Sequence, residues 1–236
     1  MANSRSAGPL AVVAALVTLA APASPAQTAP APYAAMAPVA QYLMPDRAAE
    51  IALARSAAPD SISSRATVLV LGRRGYEKAV AGSNGFVCVV ERAWMGPPDN
   101  WQFWSPRIRG PVCFNPPAAR SILPITLERT ELILSGASKQ QMVDGLRAAR
   151  SRGRLPRLEA GAMSYMMSKG GFLDDSAGPW RPHLMFYAPA ADSASWGADV
   201  AGSPVMLNPQ FLGTPEQVAV FMVALRTWSD GSPAKP

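Results

Sequence analysis

The sequence predicts an α+β fold built on a mainly antiparallel sheet, and three observations carry that reading. Short β-branched runs separated by Gly-rich turns occupy residues 67–92. Two helical patterns follow one another over residues 118–150, and short apolar runs return between residues 162 and 224. Strands, then helices, then strands again segregate the two kinds of element, which is the order of an α+β domain.

Before the first of these lies a segment of a different kind. Arg5 supplies a positive n-region, residues 10–20 are small and apolar with a single Thr, and Ser24-Pro25-Ala26 offers small side chains where a signal peptidase reads. Residues 1–26 therefore read as a secretory signal peptide, cut after Ala26 to leave Gln27 first. The apolar run falls short of the ~20 residues a spanning helix needs, and Val218 to Leu225, the best later candidate, is shorter still. No Cys follows the cleavage site to carry a lipid. The mature chain reads as periplasmic or secreted and not integral to a membrane. Its length of about 210 residues suits one domain.

The elements follow in order. Residues 27–43 are rich in Ala and Pro and nearly uncharged, a composition expected to stay extended and mobile. A single domain then spans residues 44–230, with residues 231–236 a disordered tail. Residues 47–55 are good helix formers bounded by Pro45 and Pro59. Thr67 to Leu71, Tyr76 to Ala81 and Phe86 to Arg92 read as three strands joined by Gly72-Arg73-Arg74-Gly75 and Gly82-Ser83-Asn84-Gly85. Two such turns between strand patterns predict a β-meander. Residues 94–117 are dense in Pro, Gly and Trp and read as a long loop with a short extended piece at Val112-Cys113-Phe114. Ala118 to Leu134 reads as helix with Pro124 as a kink or boundary. Ser138 to Arg150 is a second helix, opened by a Ser138/Gln141 capping box and striped by Met142, Leu146 and Ala149. Ala162 to Met167, His183 to Tyr187, Pro204 to Leu207 and Gln217 to Ala224 read as strands. The last is also compatible with a helix capped at Thr214, but Val218, Val220 and Val223 favour strand.

The chain has two cysteines, Cys88 and Cys113. In an oxidising compartment an even pair reads as one disulfide. The other reading, a free catalytic thiol, needs a basic partner that the sequence hardly provides. The net charge is +6, of which Arg5 contributes one. A mildly basic exported protein suits an anionic lipid or wall polymer better than nucleic acid.

His183 is the single histidine. Zinc sites built on several histidines are excluded, and G-x-S-x-G elbows, P-loops and dinucleotide fingerprints are missing from the sequence. No cofactor is implied. Two readings of His183 stand side by side. It is a hydrogen-bonded core histidine at a strand start after Pro182, or the general base of a hydrolase with Ser164 or Ser168 as nucleophile. On a strand, His183, Met185 and Tyr187 share one side and Leu184 and Phe186 the other. The second side is the more uniformly apolar and so the one expected to be deeper, with His183 and Tyr187 facing a partly polar space shared with Ser164 or Tyr165. Met163, Met166 and Met167 lie close together in the sequence, Met185 is two residues from His183, and soft thioether and imidazole ligands suit Cu(I). Methionines also simply fill irregular cores.

Three further features have a functional and a plain reading. Trp94, Trp101, Phe103 and Trp104, with His183 and Tyr187, are candidate ligand-binding residues, because flat aromatics on a loop stack on sugars or lie against lipid. The plain reading is that they fold back over the core. Arg147, Arg150, Arg152, Arg154 and Arg157 could hold an anionic envelope component, or simply complement the negative end of a helix. Asp174-Asp175, in a Gly-flanked loop, could bind calcium or serve acid–base chemistry, but it lacks the EF-hand spacing and suits a turn.

The segments Met163-Ser164-Tyr165-Met166-Met167-Ser168, Pro182-His183-Leu184-Met185-Phe186-Tyr187-Ala188-Pro189, Gly202-Ser203-Pro204 and Gly110-Pro111-Val112-Cys113-Phe114 together resemble a group of exported bacterial proteins of unknown function. The resemblance covers most of the mature chain. It implies export and assigns no activity and no functional residue. The leading functional expectation is a non-enzymatic binding or envelope-interaction protein. A hydrolase based on His183 is the alternative, and copper binding a lesser one.

Overall fold

The computed structural model describes residues 32–175, 180–212 and 214–234. The proposed signal peptide, residues 1–26, lies outside them. The strands are β1 (Thr67–Gly72), β2 (Gly75–Val80), β3 (Val87–Glu91), β4 (Gly110–Phe114), β5 (Met163–Met166), β6 (His183–Pro189), β7 (Val205–Asn208) and β8 (Val218–Ala224). They form one eight-stranded sheet in the order β2-β1-β3-β4-β5-β6-β8-β7. Every neighbouring pair is antiparallel except β1 and β3. The fold is α+β, as the pattern of runs predicts.

The expected meander is corrected at its third strand. β1 and β2 make the hairpin, but β3 crosses to the far side of β1 and pairs with it in parallel, Thr67 opposite Val87. The reason lies in the side chains. β2 exposes Glu77 and Lys78 at its centre, which suits a sheet edge, whereas Val68, Val70 and Leu71 of β1, the strand a meander would leave outermost, are buried and need a neighbour on each side. The crossing passes very close to β1: a Cβ on Gly82 would lie 2.1 Å from Thr67 N. Asn84 serves this crossing and not a tight hairpin, its amide donating to Ile62 O at 2.7 Å.

Helices cover both faces of the first half of the sheet. On one face lie α1 (Arg47–Arg55), capped by Asp46, and the short α2 (Asp60–Ser63). Ala54, Ala57 and Ala58 let this layer approach Val68, Val70 and Val90 closely. On the other face lie α3 (Pro116–Ser121), α4 (Leu123–Leu134) and α5 (Lys139–Ser151). Pro124 sits in the first turn of α4, where a missing N–H costs nothing, so it marks a boundary. The Ser138/Gln141 capping box of α5 is formed in both directions. Farther along the sheet, Trp196 stacks on Phe221 of β8 with ring centroids 4.5 Å apart.

Cys88 and Cys113 are bonded, directly opposite each other on β3 and β4, with Cα atoms 4.0 Å apart. The bond joins two neighbouring interior strands and closes the aromatic loop between them.

Two terminal expectations are corrected. The Ala/Pro-rich segment is packed from Tyr33 onward: Tyr42 is fully buried, and its hydroxyl donates to Trp104 O at 2.7 Å. A single buried aromatic outweighs the nearly uncharged, Ala/Pro-rich composition around it. The tail is likewise held as far as Ala234, whose N–H donates to Arg226 O at 2.8 Å.

One charged pair sits inside this frame. Arg92 and Glu50 are 1% and 2% exposed, and Arg92 Nη2 donates to Glu50 Oε1 at 2.8 Å. Arg92 Nε donates to Tyr42 O at 2.8 Å and Nη1 donates to Val90 O. Glu50 Oε1 also accepts from Leu71 N at 3.1 Å. The pair thus ties together α1, β1, β3 and the N-terminal segment.

Two predictions follow from these bonds. Glu50→Gln leaves the guanidinium buried without its counter-charge, so it should lower unfolding free energy by about 3–5 kcal/mol in urea titrations. A paired Glu50→Leu/Arg92→Met replacement should cost clearly less, because no charge is then stranded. Replacing Cys88 and Cys113 together by Ser should cost about 3.5 kcal/mol from loop entropy, and the same loss should appear when wild type is reduced before the titration.

Candidate functional site

The face of the sheet that carries His183 is set by alternation. His183, Met185 and Tyr187 of β6 stand on the same side as Ser164 and Met166 of β5, because Met166 pairs with His183 and Ser164 with Met185. Across the other edge of β6, Met222 of β8 pairs with Met185, and Val220 with Tyr187. This is the face covered by α3 and α4. Between the sheet and α4 lies a cavity of about 200 Å³. Its sheet wall includes Phe114, Met166, Met185, Val220 and Met222, and its opposite wall Ile122 and Ile125. Gly110 belongs to the sheet wall, and a Cβ there would lie 3.0 Å from Leu173 Cδ2.

A few polar groups interrupt the apolar lining. Glu91, at the end of β3, faces the cavity, and Thr126 Oγ1 donates to its Oε1 at 3.1 Å. Burial lifts its carboxyl to about 7, with the Thr126 bond and the Arg129 charge pulling the other way. Arg129 is held through its Nη1 and Nε, while its Nη2 is ion-paired with Glu216 Oε1 at 2.6 Å without a hydrogen bond among the described residues. Its Nη1 donates to the Trp94, Met95 and Gly96 carbonyls at 2.8, 3.1 and 2.9 Å, and its Nε donates to Glu216 Oε1 at 2.7 Å. Glu216 Oε2 is buried and accepts no hydrogen bond among the described residues. Tyr187 OH and Ser164 Oγ are 2.9 Å apart, and burial raises the phenol well above its ordinary range.

His183 is buried at 5% exposure and opens β6, as the preceding proline predicts. Leu184 and Phe186 are half-buried, as are Met185 and Tyr187, so the Leu184/Phe186 side is not the deeper one, and of these five residues only His183 is buried. At this end of the sheet the layer of α1 and α2 no longer covers their face, while α3 and α4 cover the face of His183. His183 Nδ1 is 2.8 Å from Arg181 O. A carbonyl only accepts, so the proton of the neutral ring is on Nδ1 and Nε2 is an acceptor. Burial lowers the pKa of the ring, against the Arg181 bond, which keeps it neutral.

The sequence candidates separate accordingly. Among the described residues, neither serine is hydrogen-bonded to His183. Ser164 pairs with Tyr187, and Ser168 Oγ is 2.6 Å from Ser56 Oγ. Tyr165, offered as a sharer of the polar space, points to the opposite face and packs on Phe86. Met163, opposite Phe186, also faces away, and Met167 is buried beside Ala57.

The aromatic surface is corrected too. Trp94 and Phe103 are fully buried and Trp104 nearly so, and only Trp101 is exposed, stacked on Tyr33 at 6.0 Å. The disulfide and the Arg129 bonds to the Trp94–Gly96 carbonyls pull this loop onto the core. Of the arginines, Arg150 holds the Pro215 and Glu216 carbonyls at 3.1 and 2.6 Å, Arg154 pairs with Glu128 at 2.8 Å, and Arg147 with Asp144 at 3.4 Å. Arg152 and Arg157 are exposed and make no ion pair among the described residues. Asp174 and Asp175 fasten loops: Gln102 Nε2 donates to Asp174 at 3.0 Å, and Tyr33 OH to Asp175 at 2.7 Å.

Comparison with protein-family models, curated proteins and solved structures gave no match. The site therefore stands on its own geometry. Glu91, Thr126, Arg129, Glu216 and Met222 belong to it and are not among the sequence candidates. One signal for them was present. Ile122, Ile125, Arg129 and Ile133 follow helical spacing, which puts a charged residue on the apolar stripe of α4.

The raised Glu91 carboxyl makes a pH prediction. The unfolded chain releases this proton near 4.5 and the folded chain near 7. Stability should therefore fall as pH rises from about 4.5 to 7 and level off above, a loss of roughly 3 kcal/mol. Glu91→Gln, which still accepts from Thr126, should flatten that slope in chemical-denaturation curves and be more stable than wild type at pH 8.

Proposed function

We propose that the protein is an exported binding protein that holds a small, largely apolar ligand in the cavity between the sheet and α4, without covalent catalysis. The observation that carries this reading is the cavity itself: a concave, mostly apolar pocket with fixed polar groups among its lining residues is the usual make-up of a small-molecule site. Its volume of about 200 Å³ is below the ~300–1,000 Å³ of sites for drug-sized ligands, so the ligand is small. Glu91 and Tyr187 supply hydrogen-bonding ends. The hydrolase reading is weaker, because a general base needs its nucleophile within hydrogen-bond reach and His183 has neither serine there. Export rests on residues 1–26 and on the resemblance to exported proteins. Among the described residues no helix is long and apolar enough to cross a membrane.

A thermal-shift screen with neutral alcohols from benzyl alcohol to octanol tests the binding claim. A ligand present at ~100 times its Kd should raise Tm by about 5–10 °C. A Met185→Phe/Met222→Phe variant, which fills the space, should lose the shift and keep the wild-type circular dichroism. No shift with any compound, or an equal shift in the filled variant, would overturn the assignment. Export is tested separately by mass spectrometry of the periplasmic fraction of an expressing bacterium, where the mature chain should begin at Gln27.

A further inference from the structure

We infer that the sheet wall of this cavity is a binding site for a soft monovalent metal ion, Cu(I), with His183, Met166, Met185 and Met222 as its ligands. The inference goes beyond the apolar-ligand reading and does not depend on it. Four soft donors stand on one face of three neighbouring strands. Met166 is directly across from His183, Met185 is two residues along the same strand, and Met222 is directly across from Met185. Facing pairs of this kind have Cβ atoms only ~4.5–5.5 Å apart and diagonal ones ~7–8 Å. Two torsions place each thioether sulfur, so Met166, His183 and Met185, which are direct or diagonal neighbours, can close on one ion, and Met222 approaches it from the far side of β6. All four residues line the same cavity, and the three methionines are only partly buried, so their free surface is toward it.

The histidine is prepared in a way that packing alone does not require. Its Nδ1–H is fixed by the Arg181 carbonyl at 2.8 Å. That bond sets the tautomer and leaves the Nε2 lone pair as the ring's acceptor, which is how ligating histidines are commonly held by a second group. The donor set selects the metal. Thioethers are soft and uncharged, so three of them with one imidazole favour Cu(I) over Zn(II), Ca(II) or Mg(II), which prefer thiolate, carboxylate or water. Met222 Sδ accepts a long contact from Asn208 Nδ2 at 4.0 Å, which binding of the ion would replace.

The test uses the purified protein under anaerobic conditions, with ascorbate as reductant so that the Cys88–Cys113 bond stays intact. Wild type should withdraw about one Cu(I) per chain from the bicinchoninate complex, and the copper X-ray absorption edge should show a sulfur shell with one nitrogen. Each of Met166→Leu, Met185→Leu and Met222→Leu should weaken binding by at least about tenfold, the loss that removal of even an outer-shell partner produces. The triple leucine variant should bind no copper. Leucine keeps volume and apolarity, so that variant should keep the wild-type melting profile and any alcohol binding. Loss of copper with alcohol binding retained therefore speaks for the metal site alone. Failure of wild type to compete with bicinchoninate, copper binding by the triple variant equal to wild type, or Zn(II) bound as tightly as Cu(I) would each overturn the assignment.

Discussion

The bond between Arg92 and Glu50 is the constraint on which the remaining structure rests. An arginine held this deep has given up nearly all its hydration, so every N–H must find an acceptor inside the protein. Its acceptors come from separate parts of the chain: a carboxylate on α1, the carbonyl of Tyr42 and the carbonyl of Val90. Satisfying one cation therefore fixes where α1 lies on the sheet and where the N-terminal segment ends. Tyr42 carries this further. With its carbonyl on Arg92, its ring lies 5.0 Å from that of Trp94 and its hydroxyl reaches the Trp104 carbonyl. The aromatic loop is thus pinned to the same point.

A second buried arginine lines the cavity. Arg129 projects from α4 and gathers the Trp94–Gly96 carbonyls on one side and Glu216 on the other. It ties α4 to the aromatic loop and to the turn before β8 along the wall of the cavity. The space beneath is lined by groups whose own requirements are nearly met: Glu91 by Thr126, and Tyr187 by Ser164. What faces the interior is mostly carbon and sulfur.

Much of this architecture is legible in the residues. The capping box at Ser138, the boundary at Pro124, the strand opening at His183 and the pairing of Cys88 with Cys113 all depend on local chemistry, and each lies where the sequence places it. The errors share a cause of another kind. The Asn84-Gly85 signal is a true turn, but which side of β1 receives the next strand depends on burial of Val68 and Val70 by residues far along the chain. Trp94 and Phe103 look like surface aromatics until Arg129 and the disulfide draw their loop inward. The cavity was least legible, because Glu91, Arg129 and Glu216 meet only through long-range contacts, and a methionine on β8 joins those on β5 and β6 only once the strand order is known.

The placement of β2 has a bearing on how the molecule meets its own copies. A sheet of eight strands ends in two rows of unpaired backbone groups, and such rows invite another chain to add a strand. At one border β2 presents Glu77 and Lys78 to solvent, with Glu77 further engaged by Arg47 from α1. At the other, β7 is only four residues long and is left at once through Pro209. Charge guards one border and brevity the other. The crossing that carries β3 past β1 thus puts the polar strand outermost and keeps the apolar Val68–Leu71 run of β1 away from any open border, a protection against self-association that a simple meander, with β1 outermost, would have forfeited.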